Sequence, residues 1–246
     1  MNLKMPYGIS NYEKIVNNGY YYVDKTMYIE KLENLAETSI MFLRPRKFGK
    51  TLFTSVIENY YDKNKADKFN ELYGKTYIGK NPTNLKNSYC ILRFNFSGID
   101  TSSEETTIRG FKNSTIESIK LFIGKYNIDF YINDGQDAEE ILNSLLTAFS
   151  LQKINEKIYV IIDEYDHFAN ELLGFNPEQF RGLVSKNGKV RKWYEVLKKG
   201  TETVVDRIFI TGVAPITLDS LTSGFNIGTD ITQDIDFNEM MGFTEK

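Results

Sequence analysis

The sequence predicts an α/β protein, a parallel sheet covered by helices on both faces. Three observations predict it. Short apolar runs begin at Ile40, Tyr89, Ile158 and Ile208 and stop abruptly at polar or charged residues. Segments of helical periodicity separate these runs, the alternation that builds parallel sheets. Two of the runs end in residues suited to phosphate and metal chemistry. The carboxyl edge of an open α/β sheet is where ligands bind.

Residues 1–36 are expected to form an N-terminal helical appendage packed on a core spanning 37–246. Tyr12, Ile15 and Val16 predict a short helix, and Gly19 to Val23 an extended segment. A second helix carries Tyr28, Ile29, Leu32 and Leu35 on one face, with Asp24 or Thr26 as its N-cap. The run Ile40–Leu43 is the first strand, and Leu52, Phe53, Val56, Ile57, Tyr60 and Tyr61 mark the helix after it. Residues 62–87 are polar and predict loops and one or two short helices. Tyr89 to Phe96 is a second strand, partly continuous and partly alternating, as in a sheet covered on both sides. A helix over 102–124 follows, with Ser102 and Glu105 as its capping box. Asp137 starts another, with Glu140 three residues on. Lys157 to Ile162 is a buried strand. Residues 167–198 are helical, with Pro177 in a first turn and a break at Asn187-Gly188. Asp206 to Gly212 is a further strand. A loop through Pro215 and a turn at Leu218–Leu221 lead to Phe225–Ile227, the candidate fifth strand. Asp236 to Met241 is expected to be helical. No repeat, low-complexity tract or Gly/Ser linker divides the chain.

Composition narrows the function classes. The 246 residues are 41% hydrophobic and 26% charged, as in ordinary globular proteins. A net charge of −3 argues against a broad electrostatic footprint on nucleic acid, although Arg44 to Lys47 is a local basic patch. The single cysteine, Cys90, rules out an intrachain disulfide and fits a reducing compartment. The single histidine, His167, rules out His-x-x-x-His zinc sites. No signal-peptide core and no apolar run of membrane-spanning length is present. The expectation is a cytoplasmic protein without a membrane partner.

The segment Ser39 to Thr51 carries the first chemical signal. A strand runs into a basic loop, and the loop ends in Gly49-Lys50-Thr51 at the start of a helix. Helix N-terminal amides and the positive dipole end attract phosphate; the lysine adds a point charge, and the threonine hydroxyl can ligate Mg²⁺. Compared with G-x-x-x-x-G-K-[ST], the first glycine is replaced by Arg44, and Pro45 biases Arg44 towards extended backbone. The loop entrance therefore differs from the usual form. The alternative for the same residues is a lysine capping an ordinary strand-to-helix turn.

The second signal is Ile161-Ile162-Asp163-Glu164-Tyr165-Asp166. A buried strand ending in two carboxylates places both at the ligand-binding edge. Asp163 can orient hydrated Mg²⁺ and Glu164 can polarise an attacking water. Asp166 fits a plain acidic helix start. His167 lies near enough to reach the site, but a lone histidine is commonly structural. Thr211, at the end of a later strand, is a candidate sensor of a γ-phosphate.

Tyr22 to Thr26, Phe42 to Leu52, Ile161 to Asp166, Phe209 to Val213 and Leu221 to Ile227 together resemble the bacterial and archaeal AAA-ATPase-like family. That family shares the Arg-Pro-Arg entrance. The resemblance implies a P-loop NTPase with a parallel five-stranded sheet of the additional-strand type, the strand ending at Thr211 lying between the two Walker strands. It implies ATP and Mg²⁺ as ligands and a weak ATPase activity. Arg46, Lys47, Phe48, Gly49, Lys50, Thr51 and Leu52 would form the nucleotide loop. Thr51 and Asp163 would be the metal ligands, and Glu164, Lys50 and Thr211 the catalytic groups. An arginine finger is left open among Arg46, Arg181, Arg191 and Arg207. Family members often continue into a helical lid and a PD-(D/E)XK nuclease-like domain. Both are expected to lie outside this sequence, which has no Asp…Glu-x-Lys constellation of its own. A nucleotide-responsive switch acting on such an effector, with little turnover, is the rival reading. Nucleic-acid contact and oligomer formation are left open.

Overall fold

The computed structural model describes residues 4–152, 154–184, 188–214 and 228–243. Its centre is a five-stranded sheet: β1 (Ser39–Leu43), β2 (Tyr89–Asn95), β3 (Lys157–Asp163), β4 (Val205–Gly212) and β5 (Thr229–Asp230). The strand order is β2-β3-β4-β1-β5, and every pairing is parallel. The chain thus crosses from β1 to the far edge and returns, leaving β4 between β1 and β3. This is the additional-strand P-loop topology. All five strand ends of interest, Leu43, Asn95, Asp163, Gly212 and Asp230, consequently lie on one edge.

Strand side chains alternate between two apolar layers, so both sheet faces are buried and both require helices. Ile40, Phe42, Ile91, Tyr159, Ile161 and Phe209 face the layer built by α1 (Tyr12–Asn17), α2 (Met27–Glu33), α3 (Lys50–Tyr61), α4 (Phe69–Tyr73) and α5 (Tyr77–Lys80). Met41, Leu43, Leu92, Phe94, Val160, Ile162 and Ile210 face the other layer. That side holds α6 (Glu104–Tyr126), α7 (Ala138–Leu151), α8 (His167–Phe175), α9 (Pro177–Val184) and α10 (Lys189–Gly200). Trp193, fully buried, is its hub, with the rings of Phe94, Phe96 and Phe111 set edge-on at 4.8, 5.4 and 5.5 Å.

Several expectations shift in detail. The helix over 102–124 begins at Glu104, and its capping box uses Ser103 and Thr106 in place of Ser102 and Glu105. Two serines precede the acidic pair, and the second is in register with the first turn. Thr26 occupies the N-cap of α2 without a side-chain capping bond, its hydroxyl accepting instead from the Ile78 amide, while Asp24 accepts from the amides of Thr26 and Tyr77. Asp24 is therefore a brace between α2 and α5. The capping box at Asp137 forms with Glu140. Over 236–241 only a short 3₁₀ turn, Ile235–Phe237, forms. The strand beside β1 is Thr229–Asp230. Asn187, Pro215, the Leu218–Leu221 turn and the Phe225–Ile227 strand lie outside the described residues.

Candidate functional site

The loop between β1 and α3 occupies the ligand edge. Residues 45–49 are exposed, while Lys50 at the first position of α3 is only 6% exposed. Its ammonium donates to the carbonyls of Arg44 at 3.0 Å and Pro45 at 3.1 Å. Burial pushes the Lys50 pKa down, against the opposing pull of Glu164, Asp166 and Asp163. A cation held by neutral carbonyls in a half-dry position gains strongly from an arriving anion. Gly49, at φ 84°, turns the chain into the helix through left-handed backbone, which glycine adopts without strain.

Arg44 does not face the loop's concavity. Its guanidinium lies 4.2 Å from the Phe42 ring centre. It donates to the carbonyls of Leu43, Thr232 and Asn238 and to the Asn238 side chain. The residue in the usual glycine position thus fastens the loop entrance to the segment after β5. Phe48, 43% exposed, sits over Gly242 of the same segment.

Opposite the loop stands Asp163, fully buried at the end of β3. Its Oδ2 accepts from Arg93 at 3.0 Å and lies 3.5 Å from the Thr54 hydroxyl. Its Oδ1 has no partner among the described residues. Thr54 is three residues beyond Thr51 on α3, and its hydroxyl also donates to the Thr51 carbonyl at 2.9 Å. Thr211 follows from register: Ile162 pairs with Ile210, which sets Thr211 beside Asp163. The Thr211 hydroxyl is fully buried and also lacks a partner among the described residues. Buried polar atoms are seldom left unpaired. Two of the unpartnered atoms, Asp163 Oδ1 and the Thr211 hydroxyl, fall on neighbouring strands at the ligand edge.

Glu164 is partly buried and has φ 51°. Lys47 in the facing loop has φ 69°. The other described non-glycine residues with positive φ are Asn87 and Asn127, a type that tolerates it. Strained backbone is therefore concentrated on the two sides of this site, a pattern characteristic of functional segments. Asp166 does more than start α8. Its Oδ2 accepts from the amides of Val213 and Ala214 at 2.9 and 2.8 Å, and from Asn170 at 2.7 Å. It ties the β3 end to the β4 end. A Cβ at Gly212 would collide with the Asp166 carboxylate and the Tyr165 ring.

The remaining candidates separate. His167 lies at the start of α8, its Nδ1 3.8 Å from Glu171. Arg207 is near the opposite end of β4, and Arg191 bonds Glu195 on its own helix. Among the described residues, no three His, Cys, Asp or Glu side chains converge as a closed metal cage. That suits Mg²⁺, which keeps several waters and takes few protein ligands together with phosphate oxygens. Thr51 and the open Oδ1 of Asp163 fit that donor set. Sequence reasoning missed Arg93, Thr54 and the bracing by Asp166. The signal for Arg93 was an arginine inside an otherwise apolar strand run, which requires a buried counter-charge.

A profile of the predicted AAA-ATPase family matches residues 6–222. The chain belongs to the predicted AAA-ATPase family. An uncharacterized protein in the vnfD 5′ region of Azotobacter chroococcum mcd 1 is 27% identical over 245 residues. The match covers 98% of this chain and 43% of that protein, so the chain spans less than half of the relative. Cdc6p from Pyrobaculum aerophilum overlays on 94% of this chain and 47% of its own, with 14% identity and a TM-score of 0.34. Nucleotide binding is the class of function that family membership carries. No helix among the described residues is long and apolar enough to cross a membrane.

Proposed function

We propose that this cytoplasmic AAA-ATPase-type domain binds ATP with Mg²⁺ and hydrolyses it slowly to ADP and phosphate. The observation that carries the reading is the pairing of a buried Lys50 ammonium, held by the Arg44 and Pro45 carbonyls, with a buried Asp163 whose Oδ1 has no partner among the described residues. Lys50 and the N–H groups of residues 46–52 hold the β and γ phosphates. Thr51 and Asp163 hold the ion, directly or through water, and the ion's charge neutralises the phosphate oxygens. Glu164 accepts a hydrogen bond from the attacking water and aligns it with the γ-phosphorus. The new P–O bond forms to that water as the bond to the bridging oxygen breaks, and ADP departs. Thr211 donates to a γ-phosphate oxygen, which satisfies its buried hydroxyl.

Steady-state phosphate release tests this. Wild type is expected to exceed Lys50→Ala clearly, and Glu164→Gln to bind nucleotide without turnover. Unchanged turnover in Glu164→Gln removes that residue from the mechanism.

A second reading, a nucleotide-responsive switch with little turnover, draws on the fastening of the loop to residues 232–242 through Arg44 and Phe48. Phosphate binding that displaces the Lys50 contacts to Arg44 and Pro45 would be felt by that segment. An effector region, of which the nuclease-like domain of family members is the candidate, would read the change. Release no higher than the Lys50→Ala background supports the switch.

A further inference from the structure

Asp163 has a second partner that the nucleotide chemistry does not call for. The Arg93 guanidinium, on β2, spans from Asp163 Oδ2 at 3.0 Å to Glu58 Oε2 at 2.9 Å, and also donates to the Thr54 hydroxyl at 3.0 Å. Glu58 in turn lies 3.4 Å from Lys125, and Lys125 lies 2.7 Å from Asp62. Alternating charges thus run from the ligand edge of the sheet to its opposite edge. The guanidinium is a rigid fork, so three fixed partners lock its position and lock the Asp163 carboxylate with it. A carboxylate held through one oxygen is restrained, and its other oxygen has no partner among the described residues.

We propose that Arg93 is the counter-ion of Asp163 when no metal is bound, so that a divalent cation is held firmly only together with nucleotide phosphates. This rests on the reading of Asp163 as a metal ligand. A buried carboxylate needs a compensating charge. Arg93 supplies it, and the same positive charge repels a cation arriving alone. Nucleotide phosphates bring the negative charge that offsets the repulsion.

The test uses the full chain with Mn²⁺ as probe, followed by electron paramagnetic resonance, and thermal unfolding in EDTA, in Mg²⁺ alone and in Mg²⁺ with ATP. Wild type is expected to bind Mn²⁺ weakly without nucleotide and to show no shift of midpoint with Mg²⁺ alone. Arg93→Met is expected to unfold earlier in EDTA and to recover part of the loss in Mg²⁺ alone. It should bind Mn²⁺ at least about tenfold more tightly, the size set by repulsion between charges a few Å apart in a partly screened site. Arg93→Lys keeps the charge and should retain weak Mn²⁺ binding. Arg93→Gln serves if the methionine variant does not fold. Equal destabilisation with and without metal, together with unchanged Mn²⁺ affinity, overturns the proposal and leaves Arg93 a packing residue. Asp163→Asn separates the two claims. If it binds Mg²⁺ with ATP as wild type does, the metal-ligand reading fails, and this inference with it. If it loses that binding while Arg93→Met matches wild type, only the inference fails.

Discussion

Asp62 and Asp163 are both completely buried carboxylates, at opposite ends of the same helix-and-sheet unit. Asp62 follows α3 at the amino edge, bridged to Tyr89 at the start of β2. Asp163 ends β3 at the carboxyl edge. Asp62 Oδ1 accepts from the Asn64 amide at 3.0 Å and the Tyr126 hydroxyl at 2.8 Å, and Oδ2 stands in ion-pair contact with Lys125 at 2.7 Å. Among the described residues, Asp163 has hydrogen-bond partners on Oδ2 alone. Neither second oxygen has a hydrogen-bond partner among the described residues, but Asp62 Oδ2 faces the Lys125 ammonium while Asp163 Oδ1 faces no cation. A carboxylate with both oxygens held by donors or a cation braces the fold. One with an open oxygen, at the edge where an α/β sheet receives ligands, is available for chemistry.

Substitution at each position sharpens the contrast. Asp163→Asn is expected to lower turnover by roughly 10³-fold, the scale of lost electrostatic stabilisation at a phosphoryl group. Its urea unfolding midpoint should fall less than that of Asp62→Ala, because asparagine keeps the shape and Arg93 retains Glu58 as a partner. An equal loss of stability and activity would make Asp163 a second Asp62. Asp62→Ala should do the reverse. Breaking a buried ion pair costs about 3 kcal/mol, read by urea denaturation, while the folded fraction keeps its nucleotide affinity.

Cys90 offers a probe of that end alone. It lies next to Tyr89, is fully buried, and burial pushes its thiol pKa up to about 11. Neutral-pH labelling by a thiol reagent is expected to be slow in wild type and in Asp163→Asn, and faster in Asp62→Ala. Equal acceleration in both variants would erase the distinction. The smallest effect belongs to an ion pair nearer the surface. Glu13 bonds Lys65 and Lys68, each at 2.6 Å, and these bonds hold its carboxyl below the usual range. A lowered carboxyl pKa contributes stability that is present above the unfolded value and lost as pH falls through the folded one. Glu13→Gln should therefore cost less than about 1 kcal/mol at neutral pH and flatten the acid limb of the stability profile.

The places of Lys50, Thr51, Asp163, Glu164 and Thr211 in the fold were legible because each sits at or beside a strand end or helix start that periodicity defines. Alternating apolar runs and helices gave the parallel sheet, whereas the place of the Thr211 strand between the two Walker strands came from the family resemblance and agrees with the observed order. Arg93, Thr54 and Asp62 were not legible. Their roles depend on which strand lies beside which and on where α3 crosses the sheet, contacts that join residues far apart in sequence. Arg44 shows the same limit from the other side. Its sequence position showed only a basic residue where glycine is usual, whereas Thr232 and Asn238, nearly two hundred residues later, take its donors. The capping box moved by one residue because Ser102 and Ser103 are chemically equal and only helix register separates them.

The central claim is that the 44–51 loop and Asp163 form one Mg²⁺-dependent nucleotide site. Calorimetric titration of ATP with Mg²⁺ into wild type and Lys50→Ala tests it most directly. Stoichiometric binding by wild type, weakened by about tenfold or more in Lys50→Ala, is the predicted result, on the scale of one charge-assisted hydrogen bond to phosphate. Equal affinity in both proteins, or no binding by a folded wild type, contradicts the claim.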